Sequence, residues 1–174
     1  PRIVACSEDF DDYISTPRGL HEKLKEKLEE GKIPYLVNDE RQKGSKIHVE
    51  FSGELYPEQR KAAEEMLQHE NGILHAATAF GKTAVGAYLI AERKTNTLVL
   101  VHNKEIMNNW LEDLQKFLDI DEQPPEYVTP KGRVKRRKSV IGARYAGHNS
   151  MTGIVDVVML SSLGKPGNID TVVK

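Results

Sequence analysis

Only one cysteine, Cys6, stands in the 174 residues, which excludes an internal disulfide and a cysteine-based zinc site and suits a reducing cytosol. No apolar run approaches the roughly 18 residues that a membrane helix needs, and no secretory leader is visible. The expected compartment is therefore the cytoplasm, with no membrane partner. A charge excess is missing too: 25 Lys and Arg against 26 Asp and Glu leave a net charge of −1. Any nucleic-acid contact must then come from local clustering and not from global attraction. The six histidines are scattered without a His-x-x-x-His spacing, so they suggest no metal site. Internal repeats are absent. What remains, 39% hydrophobic and 29% charged residues, is the composition of a globular protein of one domain, or one domain with a small appendage. The chain opens at Pro1 without methionine, as expected of a processed or excised piece of something longer.

Against these absences one segment carries chemistry. Ile73-Leu-His-Ala-Ala-Thr-Ala-Phe-Gly-Lys-Thr83 reads as a short apolar strand, a tight turn, and a helix opening at Lys82. That order suits a nucleoside triphosphate: successive backbone N–H groups wrap the phosphates, and the helix N-terminus adds partial positive charge. Thr78, Ala79, Phe80, Gly81, Lys82 and Thr83 form the expected cradle. Lys82 supplies a point charge to the β- and γ-phosphates, and the Thr83 hydroxyl is the expected Mg²⁺ ligand. The first glycine of the Gly-x-x-x-x-Gly-Lys-Ser/Thr pattern is replaced by Ala76.

Residues 1–52 read as a small βαββ unit. A strand covers Arg2–Cys6, and a helix starts at Thr16-Pro17 with Leu20, Leu24 and Leu28 on one face and Gly31 at its end. Two strands follow, Ile33–Val37 and Lys46–Phe51. From residue 53 onward, strand and helix alternate. Pro57 starts a helix bearing Gln59, Ala62, Ala63, Met66 and Leu67, and the phosphate-loop helix runs from Lys82 to about Arg93. A buried strand, Thr97–Val101, leads into an amphipathic helix from Lys104 to Leu118 that buries Met107, Trp110, Leu111, Leu114 and Phe117. A further buried strand spans Ile154–Leu160. Alternation of this kind predicts a doubly wound α/β sheet. Lys131, Arg133, Lys135, Arg136, Arg137 and Lys138 put six cations into eight residues. They form either a solvated loop or a contact to a phosphate backbone. No Phe or Trp interleaves them, so the cluster alone gives no support for base stacking.

Taken in order, these pieces resemble the first RecA-like domain of a superfamily 2 helicase over roughly residues 53–174. Leu55-Tyr-Pro-Glu-Gln59 is similar to the segment whose glutamine reads the adenine edge. Ala76-Ala-Thr-Ala-Phe-Gly-Lys-Thr83 resembles motif I in its helicase form, which explains Ala76. Leu98-Val-Leu-Val-His-Asn-Lys-Glu105 resembles motif Ia. Asp156-Val-Val-Met-Leu-Ser-Ser-Leu163 resembles the strand and turn near motif Ib. The loop as written and residues 1–52 are most similar to bacterial DEAD/DEAH-type helicases of conflict systems that carry a primase-like module. Ala79 stands where most superfamily members have glycine.

The resemblance implies an ATP- and Mg²⁺-dependent helicase or translocase acting on DNA or RNA, with DNA favoured. Its fold would be a RecA-like parallel sheet with flanking helices, truncated, plus the small N-terminal unit. Lys104, Ser161 and Ser162 are implied strand contacts beside Arg133, Lys135, Arg136 and Arg137. Motif II and the second RecA-like domain are absent, so the remainder of a parent chain is the implied partner, and this piece alone is expected to be inactive. Two other readings stay open: a different phosphate-loop enzyme such as a small-molecule kinase, or a non-catalytic nucleotide- or partner-binding module. In the helicase fold, strands that follow residue 174 lie between the strands of motifs I and Ia. Apolar edges at Ile73–Ala77 and Leu98–Val101 are therefore expected to need covering.

Overall fold

The computed structural model describes residues 7–38 and 44–164, which belong to two units, Pro1–Gln42 and Lys43–Lys174. In the smaller unit, β1 (Glu8–Asp9) pairs antiparallel with β2 (Ile14–Ser15). Phe10 stacks on Tyr13 across the connecting turn, with ring centroids 4.4 Å apart. A 3-10 turn at Arg18–Leu20 precedes α1 (His21–Glu30). The helix thus opens one turn later than Thr16-Pro17 suggests. Its leucine stripe buries nothing among the described residues: Leu20 and Leu24 are both exposed. The expected strand Ile33–Val37 does not form, because Pro34 removes a ladder donor and no described strand lies beside it. The expected strand Arg2–Cys6 lies outside the described residues.

The larger unit is a mixed α/β structure in the RecA-like helicase manner, with parallel strands and flanking helices. Its first strand, β3 (Val49–Phe51), pairs antiparallel with β5 (Leu118–Ile120), and the Ile47 N–H donates to the Lys94 carbonyl at 3.0 Å. Sequence places a boundary after residue 52, but these contacts place the division between Gln42 and Lys43. Then follow α2 (Pro57–Leu67), α3 (Lys82–Arg93), β4 (Thr97–Val101) and α4 (Lys104–Phe117). Proline opens α2, where its missing N–H is harmless. The Asn103 side chain caps α4 by accepting the Ile106 N–H at 2.8 Å.

Three parallel strands form the sheet: β4, β10 (Val155–Met159) and β8 (Ile141–Tyr145), in the order β4-β10-β8, with β9 (His148–Asn149) antiparallel beyond β8. The core lies between this sheet and α3 and α4. Met107, Leu114, Ala87, Val155 and Val157 are fully buried there. Trp110 packs on this core and over Gly86, where a Cβ would stand 2.5 Å from its ring. A second, smaller cluster of Leu55, Ala63, Ala84 and Val85 joins α2 to α3, with Leu74 and Phe80 packed against it.

Two expectations are corrected here. Ile73–Ala77 pairs with no described strand, and Ile73 is 95% exposed. Its backbone groups lack the neighbour that would make a ladder. The basic segment is no loop. It forms an antiparallel hairpin of β6 (Glu126–Val128) and β7 (Val134–Arg136).

Candidate nucleotide-binding site and nucleic-acid interface

The phosphate-loop segment turns sharply between Ala77 and Lys82. Ala79 has φ 63° and Gly81 φ 83°, both left-handed, and these two turns bring the chain to the first turn of α3. Phe80 is held by the α2–α3 cluster, so the loop is anchored from beneath. Gln59 braces it from the side: its Nε2 donates to the Phe80 carbonyl at 2.6 Å, while its Oε1 accepts the Tyr56 N–H at 2.9 Å. Gln59 is buried, and a Cβ on Gly81 would lie 2.5 Å from its Nε2. Lys82 is exposed and folds its ammonium back onto the Ala77 carbonyl at 2.8 Å. The Thr83 hydroxyl donates to the Asp113 carboxylate of α4. Thr78 and Ala79 are exposed.

The donor set fits a metal–triphosphate ligand. An exposed ammonium, a hydroxyl with free lone pairs and a left-handed loop before a helix are the required parts. Sequence did not reveal Asp113. Its partner lies 30 residues away and no short motif links them.

A second polar region lies at the carboxyl ends of β10 and β8, where open α/β sheets bind ligands. A cleft of about 560 Å³ is lined there by Arg144, His148, Asn149, Ser161 and Ser162, with Met159 as its apolar wall. Lys104, at the first position of α4, rests its ammonium 3.0 Å from the centre of the Tyr145 ring, a cation–π contact. Tyr145 in turn lies 4.9 Å from the His148 ring. Ser161 is exposed, while the Ser162 hydroxyl donates to the Met159 carbonyl at 2.6 Å. The structure therefore gathers Ser161 and Ser162 at one cleft and adds Arg144, His148 and Asn149, which sequence reasoning passed over.

The basic hairpin separates its cations into two kinds. Arg136 pairs with Glu126 at 3.3 Å and reaches Gln123. Arg137 stacks over the Tyr127 ring at 4.1 Å and donates to the Asn149 carbonyl at 3.1 Å. Both therefore have structural duties. Lys131, Arg133, Lys135 and Lys138 are exposed. Tyr127 supplies the aromatic that the cluster itself lacks, from a strand preceding it.

Behind this surface Asp156 is a buried carboxylate of β10. It accepts the Thr152 and Gly153 N–H groups at 2.8 and 2.7 Å and the Thr152 hydroxyl at 3.2 Å. Burial pushes its pKa up, against the pull of those hydrogen bonds and of Arg137. A Cβ on Gly142 would collide with its Oδ1, so glycine is required at that point of β8.

Parallel strands with flanking helices, and a sharp loop that opens α3, give the frame of a truncated helicase-type domain. Residues 52–166 match the family described as the res subunit of type III restriction enzymes, and the chain belongs to that family. It is 39% identical over 67 residues to transcript termination protein A18 of fowlpox virus, a match covering 33% of this chain and 14% of that protein. It is 32% identical over 68 residues to DNA 3'-5' translocase XPB2 of Sulfurisphaera tokodaii, covering 39% of this chain and 16% of that protein. The chain thus aligns with a small part of each of these relatives. Among the described residues no helix is long and apolar enough to cross a membrane.

Proposed function

We propose that this chain is the nucleotide-binding part of an ATP-dependent helicase or translocase that acts on DNA. The observation carrying the proposal is the loop Ala77–Gly81 with the Lys82 ammonium lying on the Ala77 carbonyl. That ammonium is within reach of any phosphate entering the loop, and its present partner is a single neutral carbonyl. Exchange of that carbonyl for a triphosphate favours binding. Thr78, Ala79 and Gly81 offer backbone N–H groups, while that of Phe80 donates to the Ala77 carbonyl at 3.3 Å, and Lys82 neutralises charge that develops on phosphoryl transfer. Gln59 stands against the loop and is the residue to read the adenine edge. Thr83 would hold Mg²⁺, which when bound neutralises the β- and γ-phosphates.

The nucleic-acid strand runs past Lys104, Ser161 and the exposed cations of the hairpin. DNA is favoured over RNA because a similar protein is a DNA translocase. The carboxylates that orient the attacking water, and a second RecA-like domain, belong to the rest of the parent chain. A narrower assignment, to bacterial conflict-system helicases carrying a primase-like module, rests on the loop sequence Ala-Thr-Ala-Phe-Gly-Lys-Thr and on residues 1–52.

Equilibrium titration of the full-length parent with a fluorescent ATP analogue tests the site. Lys82→Ala should weaken binding by about tenfold or more, equivalent to ~1.4 kcal/mol. Equal affinity in both proteins would remove the phosphate loop from the account.

A further inference from the structure

The β6–β7 hairpin has two chemically different faces. Side chains alternate along a strand, and directly opposed residues share a face. The register pairs Tyr127 with Lys135 and Val128 with Val134. One face therefore carries Tyr127 and Lys135, with Arg137 over the tyrosine ring. The other presents Val128 and Val134, which are 68% and 62% exposed. The tip between them is closed by the Thr129 N–H donating to the Arg133 carbonyl and the Gly132 N–H to the Thr129 carbonyl, both at 2.8 Å. Gly132 takes the left-handed φ of 73° that this turn needs. The Arg137 bond to Asn149 fastens the hairpin's base to the β9 strand that borders the polar cleft.

An exposed valine pair on a strongly cationic finger calls for a partner with apolar planes framed by anions. Nucleic acid with unpaired bases has that chemistry. Phosphates meet the cations, and the base faces meet the apolar pair, as apolar side chains do where they wedge against base steps. An intact duplex offers only its phosphates to such a finger. We propose that this hairpin binds the junction between paired and unpaired nucleic acid. Its cationic face and tip lie on the backbone, and Val128 and Val134 lie against an exposed base pair or unpaired base. This rests on the nucleic-acid reading above and adds to it the form of nucleic acid recognised.

The test uses the full-length parent, a forked DNA duplex with unpaired tails, and a duplex of equal length closed by a loop at each end. Wild type should bind the fork more tightly. Val128→Ser with Val134→Ser should weaken fork binding by about fivefold because apolar packing on the bases is removed, and leave the closed duplex within about twofold. A 2-aminopurine placed at the junction should brighten on binding wild type and stay dark with the double variant. Both valines are exposed, so the fold should survive, and an unchanged thermal midpoint checks this. Arg133→Ala with Lys135→Ala should weaken both probes and flatten their salt dependence. Equal losses on the two probes from the valine variant, or no loss, would overturn the proposal while leaving the nucleic-acid reading in place. A changed oligomeric state with unchanged fork binding would assign the valines to a protein interface and overturn it too. Wild type that binds neither probe would remove both the proposal and the reading beneath it.

Discussion

Ala79 and Gly81 share a left-handed backbone, yet their surroundings differ. Ala79 is exposed, so its Cβ meets solvent, while a Cβ on Gly81 would meet the Gln59 amide at 2.5 Å. Ala79→Gly should therefore keep or slightly raise the thermal midpoint, since relief of ~1–2 kcal/mol of strain offsets the backbone entropy of glycine, ~0.5–1 kcal/mol. Gly81→Ala should cost ~1–2 kcal/mol in strain and also push Gln59 off the Phe80 carbonyl, weakening analogue binding. A Gly81→Ala protein with unaltered stability and affinity would contradict this geometry. Gln59→Ala should loosen the same loop and reduce the preference of the parent for ATP over GTP; an unchanged preference would leave Gln59 as a brace alone. The Gly81-Lys82-Thr83 run stands out in sequence because three adjacent residues carry the pattern, although the strand expected before it does not form. Asp113, Tyr127 and Arg144 do not stand out. Each gains its place through a partner brought near by the fold, and none sits in a short motif.

Periodicity identified β4, α3, α4 and β10, where continuous apolar runs or a 3.6-residue stripe point at one core. It missed β8, a five-residue strand interrupted by Gly142, because that glycine serves Asp156 and breaks the apolar signal. It missed the hairpin because cations mask the alternation. It overcalled Ile73–Ala77, where the residues are apolar but the described chain offers no neighbour. Core energetics follow the elements. Met107 is fully buried on α4, so Met107→Ala should destabilise the fold by ~2–5 kcal/mol in denaturant titration. Asp156 gives β10 a pH dependence. Its folded pKa is raised, so the folded state holds the proton more tightly than the unfolded chain. The stability this confers is complete below the ordinary carboxylate pKa and is lost as pH rises through the folded value. Asp156→Asn should flatten that part of the curve relative to wild type, and lower stability throughout because its amide nitrogen cannot accept the Gly153 N–H. Parallel curves for the two proteins would contradict the assignment.

Across the larger unit, β4 has a ladder partner on one side only among the described residues, with Leu100 49% exposed and Ile73 almost wholly so. Unpaired apolar edges are templates for further pairing. Residues 1–174 by themselves should therefore associate with rising concentration in sedimentation, and a stable monomer at all concentrations would count against an open edge. The division of the basic segment also has a consequence in solution. Charge reversal at Arg133 and Lys135 should lower the slope of log affinity against log salt, by ~0.9 for each duplex phosphate that is no longer neutralised. Reversal at Arg136 or Arg137 should act by loosening the hairpin. ATP binding at residues 77–83 for work on nucleic acid can be tested in one assay. The most direct measurement is ATP hydrolysis by the full-length parent, with and without DNA, beside its Lys82→Ala variant. The account predicts hydrolysis that DNA stimulates and that the variant lacks. Hydrolysis indifferent to DNA, or undiminished by Lys82→Ala, would contradict it.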